Sequence, residues 1–371
     1  MKEWSTRNTY NSFNSFKGLT YYENYKAILA WMDGKGELPP PIECNLDPIA
    51  ECNLNCSFCI VQRYLKHRRY EIGQMTKLPT EYLYRLVDFL SEWGVKGLCI
   101  SGGGEPTLHR GMWYLPEYAT RKGIKTSVFT NGTKLNSTEL AEGLLACQWV
   151  AVSIDAANAL TYHNIKGKDL FGTVIRGVTK LANLRYMTGS STNICYKFLI
   201  IPDNAGEIYD ACLLAKRLGA QDFHARPADI ERVDMEYLGD SYDMALIAEQ
   251  FEACHMEETD TFHVHTVSHK FDPNFHVVHN FTRCLATPIM LPILTDGNAY
   301  LCPDRKMEAP FRLGSCYPNP EWSILDWWGS DAHRELIKGV NVCTCSRCTW
   351  CAYNEQMERA VLNDGMCLSF P

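Results

Sequence analysis

Three cysteines crowd the stretch "ECNLNCSFCI" at residues 51–60: Cys52, Cys56 and Cys59, spaced C-x3-C-x2-C, with the aromatic Phe58 directly before the last. A closed zinc site or a fully protein-ligated iron–sulfur cluster takes four protein ligands. Three thiolates on one short loop therefore need a fourth ligand from elsewhere, or they leave one metal position open. For a structural zinc that ligand would be Cys44 or His67. For a [4Fe–4S] cube, three thiolates hold three irons and the fourth iron is free to bind a small molecule.

The chain has seventeen cysteines, a high count for an intracellular protein, where disulfides are rarely maintained and patterned thiols more often hold metal. Cys99, Cys147, Cys195 and Cys212 lie singly in apolar segments and read as small buried hydrophobes. A second patterned group begins at Cys284 and runs through Cys302, Cys343, Cys345, Cys348 and Cys351 to Cys367. Two separate metal regions are expected.

The elements that must position these residues alternate. Short β-type runs at "IECNLDPI", "KGLCISG", "KTSVFTNG", "WVAVSID", "CYKFLII" and "QDFHARPA" are separated by helical patterns between Ile42 and Ala228. Leu83, Leu86, Val87 and Leu90 fall at helical spacing, as do Ile208, Ala211, Cys212, Ala215 and Leu218. Gly94, Gly123 and Gly219 stand where a helix would end in a left-handed residue. Six strands alternating with helices predict an α/β fold around a parallel sheet, as a barrel or an open doubly wound sheet. Chemistry then belongs at the C-terminal strand ends. The cysteine run follows the first strand, "GGGEP" the second and "TNG" the third, and Ser153 and Asp155 close the fourth. After Ala228 the rhythm is expected to stop. His263, His265 and His269 would share one face of a further strand, which a half-exposed strand explains without a metal.

"CNLNCSFC", followed in order by "SGGGEP", "TNG" and "VSID", resembles the radical S-adenosylmethionine superfamily over about residues 42–228. The resemblance implies a partial (β/α)6 TIM-like barrel. It also implies a [4Fe–4S] cluster on Cys52, Cys56 and Cys59 whose open iron chelates the amino and carboxylate groups of S-adenosylmethionine. Reductive cleavage would give a 5′-deoxyadenosyl radical that abstracts hydrogen from substrate. Phe58, Gly103, Gly104, Glu105, Thr130, Asn131, Ser153 and Asp155 would then bind the cofactor, Gly103, Gly104 and Glu105 receiving the methionine amino group. Asp155, His224 and Arg226 are candidates for the substrate pocket, and each could instead be a structural salt-bridge partner.

Cys284, twelve residues, Gly297, four residues and Cys302 are similar to the β-hairpin opening of SPASM and twitch extensions, which carry auxiliary iron–sulfur clusters. Downstream, Cys343, Cys345, Cys348 and Cys351 have gaps of one, two and two residues, against two, five and three in the full SPASM pattern. The resemblance therefore implies one auxiliary [4Fe–4S] cluster on Cys284, Cys302, Cys345 and Cys348, with Cys343 and Cys351 as lesser candidates. A zinc on four of these thiols is the chemical alternative.

The expected organisation is an N-terminal extension (1–41), the barrel (42–228), a connecting segment with β structure (229–283) and a Cys-rich auxiliary module (284–371). A 46% hydrophobic and 21% charged composition is that of an ordinary globular protein. The net charge of −7 argues against a protein that coats nucleic acid, and "RYLKHRRY" after the cysteines reads as a solvated or cluster-covering loop. No apolar run approaches a membrane span, and "MKEWSTRNTY" has no signal-peptide core, so a cytoplasmic protein is expected. The expected function is a radical SAM oxidoreductase acting on a sugar, aminocyclitol or other small molecule. Roughly 40 residues before the first strand are few for the peptide-binding domain that many peptide-modifying members carry. Maturation of a ribosomal peptide or protein, by oxidation, epimerisation or cross-linking, is the alternative, and a non-catalytic zinc-binding protein the alternative of another class. The family resemblance also implies an electron donor such as flavodoxin or ferredoxin. In a redox-neutral outcome, Cys195 or Cys254 could return the hydrogen.

Overall fold

The computed structural model describes residues 15–59, 75–228, 241–271, 279–345 and 348–361. Ten strands form one sheet: β1 (Glu43–Leu46), β2 (Gly97–Ile100), β3 (Lys125–Thr130), β4 (Trp149–Ser153), β5 (Asn193–Ile200), β6 (Asp222–Pro227), β7 (His263–Thr266), β8 (Met290–Ile293), β9 (Asn298–Tyr300) and β10 (Arg312–Ser315). Their spatial order is β10-β9-β8-β1-β2-β3-β4-β5-β6-β7. From β8 to β7 every neighbouring pair is parallel, and β9 and β10 add antiparallel at the outer edge.

The six expected strands are all present, joined by helices whose ends follow local chemistry. The helix α2 (Thr80–Trp93) stops at Gly94, φ 99°. Gly123 and Gly219 likewise take positive φ, 85° and 81°, which glycine adopts without a Cβ penalty. Between them run α3 (Leu115–Arg121), α4 (Thr138–Leu144), α5 (Ala159–Lys166), α6 (Phe171–Thr188) and α7 (Ile208–Arg217). Asn158 caps α5 by accepting from Thr161 N at 3.0 Å, and Gly167 ends it.

The βα rhythm does not stop at Ala228. Asp243 caps a further helix, α8 (Met244–Met256), which leads into β7 parallel to β6. A strand with His263 and His265 on one face was expected; its place as a further parallel strand of the barrel, with His265 buried, was not. The expected boundary at 283/284 runs through the sheet. β8 pairs in parallel with β1, Glu43 facing Met290 and Leu46 facing Ile293, so the Cys-rich segment starts on the barrel's own edge.

Strand alternation divides the sheet. Leu46, Ile100, Val128, Val150, Val152, Ile194, Tyr196, Phe198, Phe223 and Val264 enter the continuous apolar core with Leu83, Leu86 and Leu90 of α2 and Ala211 and Ala215 of α7. The N-terminal helix α1 (Tyr22–Met32) closes against the opposite end of the chain. Trp31 Nε1 donates to Gly329 O at 2.8 Å, beside α9 (Pro320–Trp327) and α10 (Asp331–Lys338). Among the described residues no helix is long and apolar enough to cross a membrane.

Candidate functional site

Cys52, Cys56 and Cys59 lie on the loop leaving β1, at the C-terminal end of the parallel strands. Backbone bonds fix this loop from two sides. Asn55 N donates to Lys166 O at 3.0 Å and Ser57 N to Ile165 O at 2.9 Å, docking it on the last turn of α5. Glu105 N donates to Glu51 O at 2.8 Å, docking its base on the glycine turn after β2. The approach there needs glycine: a Cβ on Gly104 would stand 2.1 Å from Glu51 O and 2.6 Å from Ala50 C, whereas one on Gly103 would meet only Asp47 Oδ2 at 3.6 Å and its neighbours.

Glu105 is hydrogen-bonded to the turns on both sides of it. It is 2% exposed. Its Oε1 accepts from Thr107 N (3.1 Å), Thr107 Oγ1 (2.5 Å) and Thr130 Oγ1 (2.6 Å), and its Oε2 from Asn131 N (2.6 Å). Burial raises its carboxyl above the usual range and these donors work against the rise. The carboxylate ties the β2 turn to the β3 turn, and it uses the Thr130 hydroxyl in doing so. Asn131 carries the tie to the cysteines: its Nδ2 donates to Asn53 Oδ1 at 2.8 Å and to Cys52 Sγ at 3.9 Å. Leu54 N adds a second donor to Cys52 Sγ at 3.5 Å.

Asp155 makes the structural salt bridge that was its alternative. Fully buried with φ 59°, it ion-pairs with the buried Lys166 and accepts Leu199 N at 2.6 Å, so its carboxylate is a structural partner. Sequence reasoning missed Lys166. Its ammonium lies 5.2 Å from the Phe58 ring centroid. Burial alone would lower its pKa, but Asp155 and the Cys56 thiolate hold it above the ordinary value. Cys56 is pushed up to about 11 by burial, with Lys166 opposing. The only sequence signal was a lysine immediately before the helix-ending Gly167. Phe58 packs with Ile165, Ile201 and Ala228.

Ser153 ends β4 opposite Lys197. His224 and Arg226 share its side of the sheet, with Lys197 Nζ donating to His224 Nδ1. Cys195 is on that same side, whereas Cys254 is packed in the core from α8. Cys44 occupies the other face of β1 and is fully buried in the core, so strand alternation turns it away from the cysteine loop. His67 and Cys367 fall outside the described residues.

The second cysteine group also converges. Cys284 is pushed up to about 12 by burial and then by Cys345; Cys302 is raised by burial, Asp304 and Cys284; Cys348 is raised by burial, Asp304 and then Cys284. These are the four thiols expected to share a cluster. Cys351 opens α11 (Cys351–Gln356) beside Cys348, and Cys343 is exposed. Gly297, φ 76°, turns the expected hairpin from β8 into β9. Asn354, not anticipated, binds the group together: its Oδ1 accepts Leu285 N (2.6 Å) and Ala286 N (2.8 Å), and its Nδ2 donates to Cys348 Sγ at 3.6 Å. Arg305 Nη2 donates to Cys345 Sγ at 3.8 Å. Lys306 Nζ reaches Asp47 Oδ2 at 2.7 Å, linking this module to the end of β1. Among the described residues no three His, Cys, Asp or Glu side chains close round a single ion. A cube spreads its thiolates over different irons, and four thiols from separate segments, with N–H donors at the Cys345 and Cys348 sulfurs, suit such a group.

Comparison with known proteins follows this geometry. Residues 47–211 match the family model described as Radical SAM superfamily. The AdoMet-dependent heme synthase of Methanosarcina barkeri is 30% identical over 202 residues, 50% of this chain and 54% of that protein. The mycofactocin maturase MftC of Mycolicibacterium smegmatis is 29% identical over 185 residues, 49% of this chain and 44% of the other. The chain thus spans about half the length of the curated relatives it matches. Among solved structures, Streptococcus suis SuiB bound to precursor peptide SuiA superposes with a TM-score of 0.62 at 17% identity, covering 89% of this chain and 73% of that one. Native anSMEcpe with bound AdoMet and Cp18Cys peptide gives 0.56 at 19% identity, covering 85% and 88%. The fold is that of these enzymes, and residues 47–211, with the cysteine loop and its glycine turn at the strand ends, are a domain of the radical SAM superfamily.

Proposed function

We propose that the protein is a radical SAM maturase that acts on a peptide or protein substrate. A [4Fe–4S] cluster on Cys52, Cys56 and Cys59 with S-adenosylmethionine supplies, when bound, the 5′-deoxyadenosyl radical that removes hydrogen from an unactivated carbon. The observation that carries the reading is the cysteine loop fixed between the Gly104 turn and the end of α5, over a barrel interior open to polar contacts. This chain's residues then have separable tasks. Leu54 N and Asn131 Nδ2 orient Cys52, Lys166 sets the charge beside Cys56, and Ser153 and the backbone around Gly103 face the place a methionyl group would occupy. Glu105 and Asp155 hold these parts in register.

The peptide reading is preferred to the sugar or aminocyclitol expectation because MftC is named a maturase and SuiB and anSMEcpe are seen with peptides. The heme synthase match supports a small-molecule substrate as the second reading. Cys284, Cys302, Cys345 and Cys348 would hold one auxiliary [4Fe–4S] cluster with no open iron, suited to accept or relay an electron delivered by a donor such as flavodoxin or ferredoxin.

The test is anaerobic reconstitution followed by reduction. Wild-type protein should yield 5′-deoxyadenosine from S-adenosylmethionine, and Cys56→Ala should abolish it while retaining auxiliary iron. Wild-type rates from the reduced variant would overturn the assignment.

A further inference from the structure

Tyr162, in the middle of α5, carries a hydroxyl with nothing to bond. The residue is 0% exposed, its ring sits in the apolar core, and its centroid lies 5.7 Å from that of Phe171. Among the described residues the hydroxyl has no hydrogen-bond partner. Buried polar groups are normally satisfied, because they give up their bonds to water on folding. Phenylalanine would fill the same space without that loss, so packing alone does not account for the oxygen.

The surroundings of that oxygen belong to the first cysteine loop. Tyr162 and Lys166 are four apart on α5 and so are neighbours on one helix face. The last turn of the helix grips the loop on both sides of Cys56, through Asn55 N to Lys166 O and Ser57 N to Ile165 O. Lys166 ion-pairs with Asp155 and lies 5.2 Å from the ring centroid of Phe58, two residues beyond Cys56. Burial pushes the Tyr162 hydroxyl up to about 12, with Lys166 opposing and Cys56, Asp155 and Glu105 adding to the rise, so the group keeps its proton. Of these three anions, Asp155 already accepts from Lys166 and Leu199 N, and Glu105 from Thr107, Thr130 and Asn131. The sulfurs differ in the same way. Cys52 Sγ has donors in Leu54 N and Asn131 Nδ2, whereas among the described residues none reaches Cys56 Sγ. An orphaned donor thus stands beside a thiol that lacks one, which suits a loop whose sulfurs gain negative charge when they hold a cluster.

We propose that Tyr162 is a positioning residue for the cluster on Cys52, Cys56 and Cys59: its hydroxyl donates to sulfur at Cys56 and, with the Lys166 ammonium, favours the reduced cluster. This rests on the radical SAM reading above and adds what tunes its first step. Reduction brings one electron from the external donor to the cluster and no proton, so the added charge falls on irons and sulfurs. The potential of such a cluster is set in part by net charge and by hydrogen bonds to sulfur. A donor and a cation at one ligand both stabilise the extra negative charge, and both therefore raise the potential.

The experiment is a redox titration of reconstituted protein without S-adenosylmethionine, followed by electron paramagnetic resonance. The signal of the first cluster is the one that changes when S-adenosylmethionine is added to wild type and that is missing from Cys56→Ala. Tyr162→Phe should move its midpoint to more negative potential. Lys166→Met should move it further, by roughly tenfold in the reduction equilibrium, which is about 59 mV for one electron. Lys166→Arg should keep most of the wild-type value. Tyr25→Phe deletes another unpartnered tyrosine hydroxyl, fully buried on α1, and should leave the midpoint unchanged. If Lys166→Met does not take up iron, Tyr162→Phe, which loses one oxygen and no packing, decides alone. A Tyr162→Phe midpoint equal to that of wild type, or more positive, overturns the proposal. Absence of any signal in wild type that responds to S-adenosylmethionine overturns the radical SAM reading and this proposal together, whereas a responsive signal with unmoved midpoints overturns this proposal alone.

Discussion

Replacing Asp155 by Asn isolates one buried charge beside the cysteine loop. Both partners of the Asp155–Lys166 pair are nearly without solvent contact, 0% and 2% exposed. Asparagine keeps the shape, tolerates the left-handed backbone at φ 59° and still offers an oxygen to Leu199 N. What it removes is the charge opposite a buried ammonium. Breaking a buried pair from one side costs about 3–5 kcal/mol, because the remaining charge is stranded in low dielectric. Asp155→Ala removes the acceptor of Leu199 N as well and should be worse. Replacing both partners, Asp155→Asn with Lys166→Met, should recover a large part of the loss, since two neutral groups leave no stranded charge. Urea unfolding followed by circular dichroism, with midpoints compared across the set, gives the coupling. An Asp155→Asn variant within about 0.5 kcal/mol of wild type, where exposed pairs lie, or a double variant as unstable as the sum of the singles, would refute the pair as a structural tie.

Gly104→Ala should lose most iron at the cysteine loop on reconstitution while Gly103→Ala keeps it, because only the former drives a Cβ into Glu51 O at 2.1 Å; iron analysis of the two variants decides. Reconstituted wild type should hold on the order of eight irons, four per cube, with Cys284→Ala/Cys302→Ala near half; a content near twelve would mean two auxiliary clusters. Asn354→Ala leaves the amides of Leu285 and Ala286 without their acceptor, which should cost about 1–3 kcal/mol each at most and release auxiliary iron before that of the first loop. His333, packed against Trp31, Trp327 and Trp328, is lowered by burial from 6.5 to about 4. Because the unfolded chain takes up the proton first as pH falls, stability should be full above about 6.5 and decline by about 3 kcal/mol towards pH 4; His333→Phe should flatten that window in a pH series of unfolding midpoints.

The parts legible in the sequence were those written in local chemistry. Six strands, the glycine helix stops and the order of strand-end residues follow from periodicity and from residues with special backbone freedom. The grouping of Cys284 and Cys302 with Cys345 and Cys348 was implied by the resemblance to SPASM and twitch hairpins, since these residues lie far apart in sequence. What was not legible depends on contacts between distant segments. Nothing local announces that Glu105 and Asp155 tie segments together, because Thr130, Asn131 and Lys166 reach them from other elements. β7 was legible as a strand but its place beside β6 was not, because a short run with polar residues on one face reads equally well as a strand at the surface. Asn354 carries no local signal, since its partners are about seventy residues away, 69 and 68 in sequence.

The same long-range contacts argue that the two cysteine regions work as one body. β8 extends the barrel sheet by pairing with β1, whose far end releases the first cysteine loop. The segment after Cys302 returns to β1 through Lys306 and Asp47, and Ser101 Oγ donates to the other oxygen of Asp47 at 2.8 Å, just before the glycine turn. Asp47 is 1% exposed, so this is a desolvated tie in which loss of either partner leaves an uncompensated group. α1 adds a second tie through Trp31 and Gly329, and Trp328 Nε1 donates to Pro39 O at 3.1 Å. A module that only stored metal would need none of this registration with the first cysteine loop. Under the proposed function, a module that exchanges electrons with chemistry in the barrel would need a fixed separation from it, and Lys306, Asp47 and Ser101 would hold that separation.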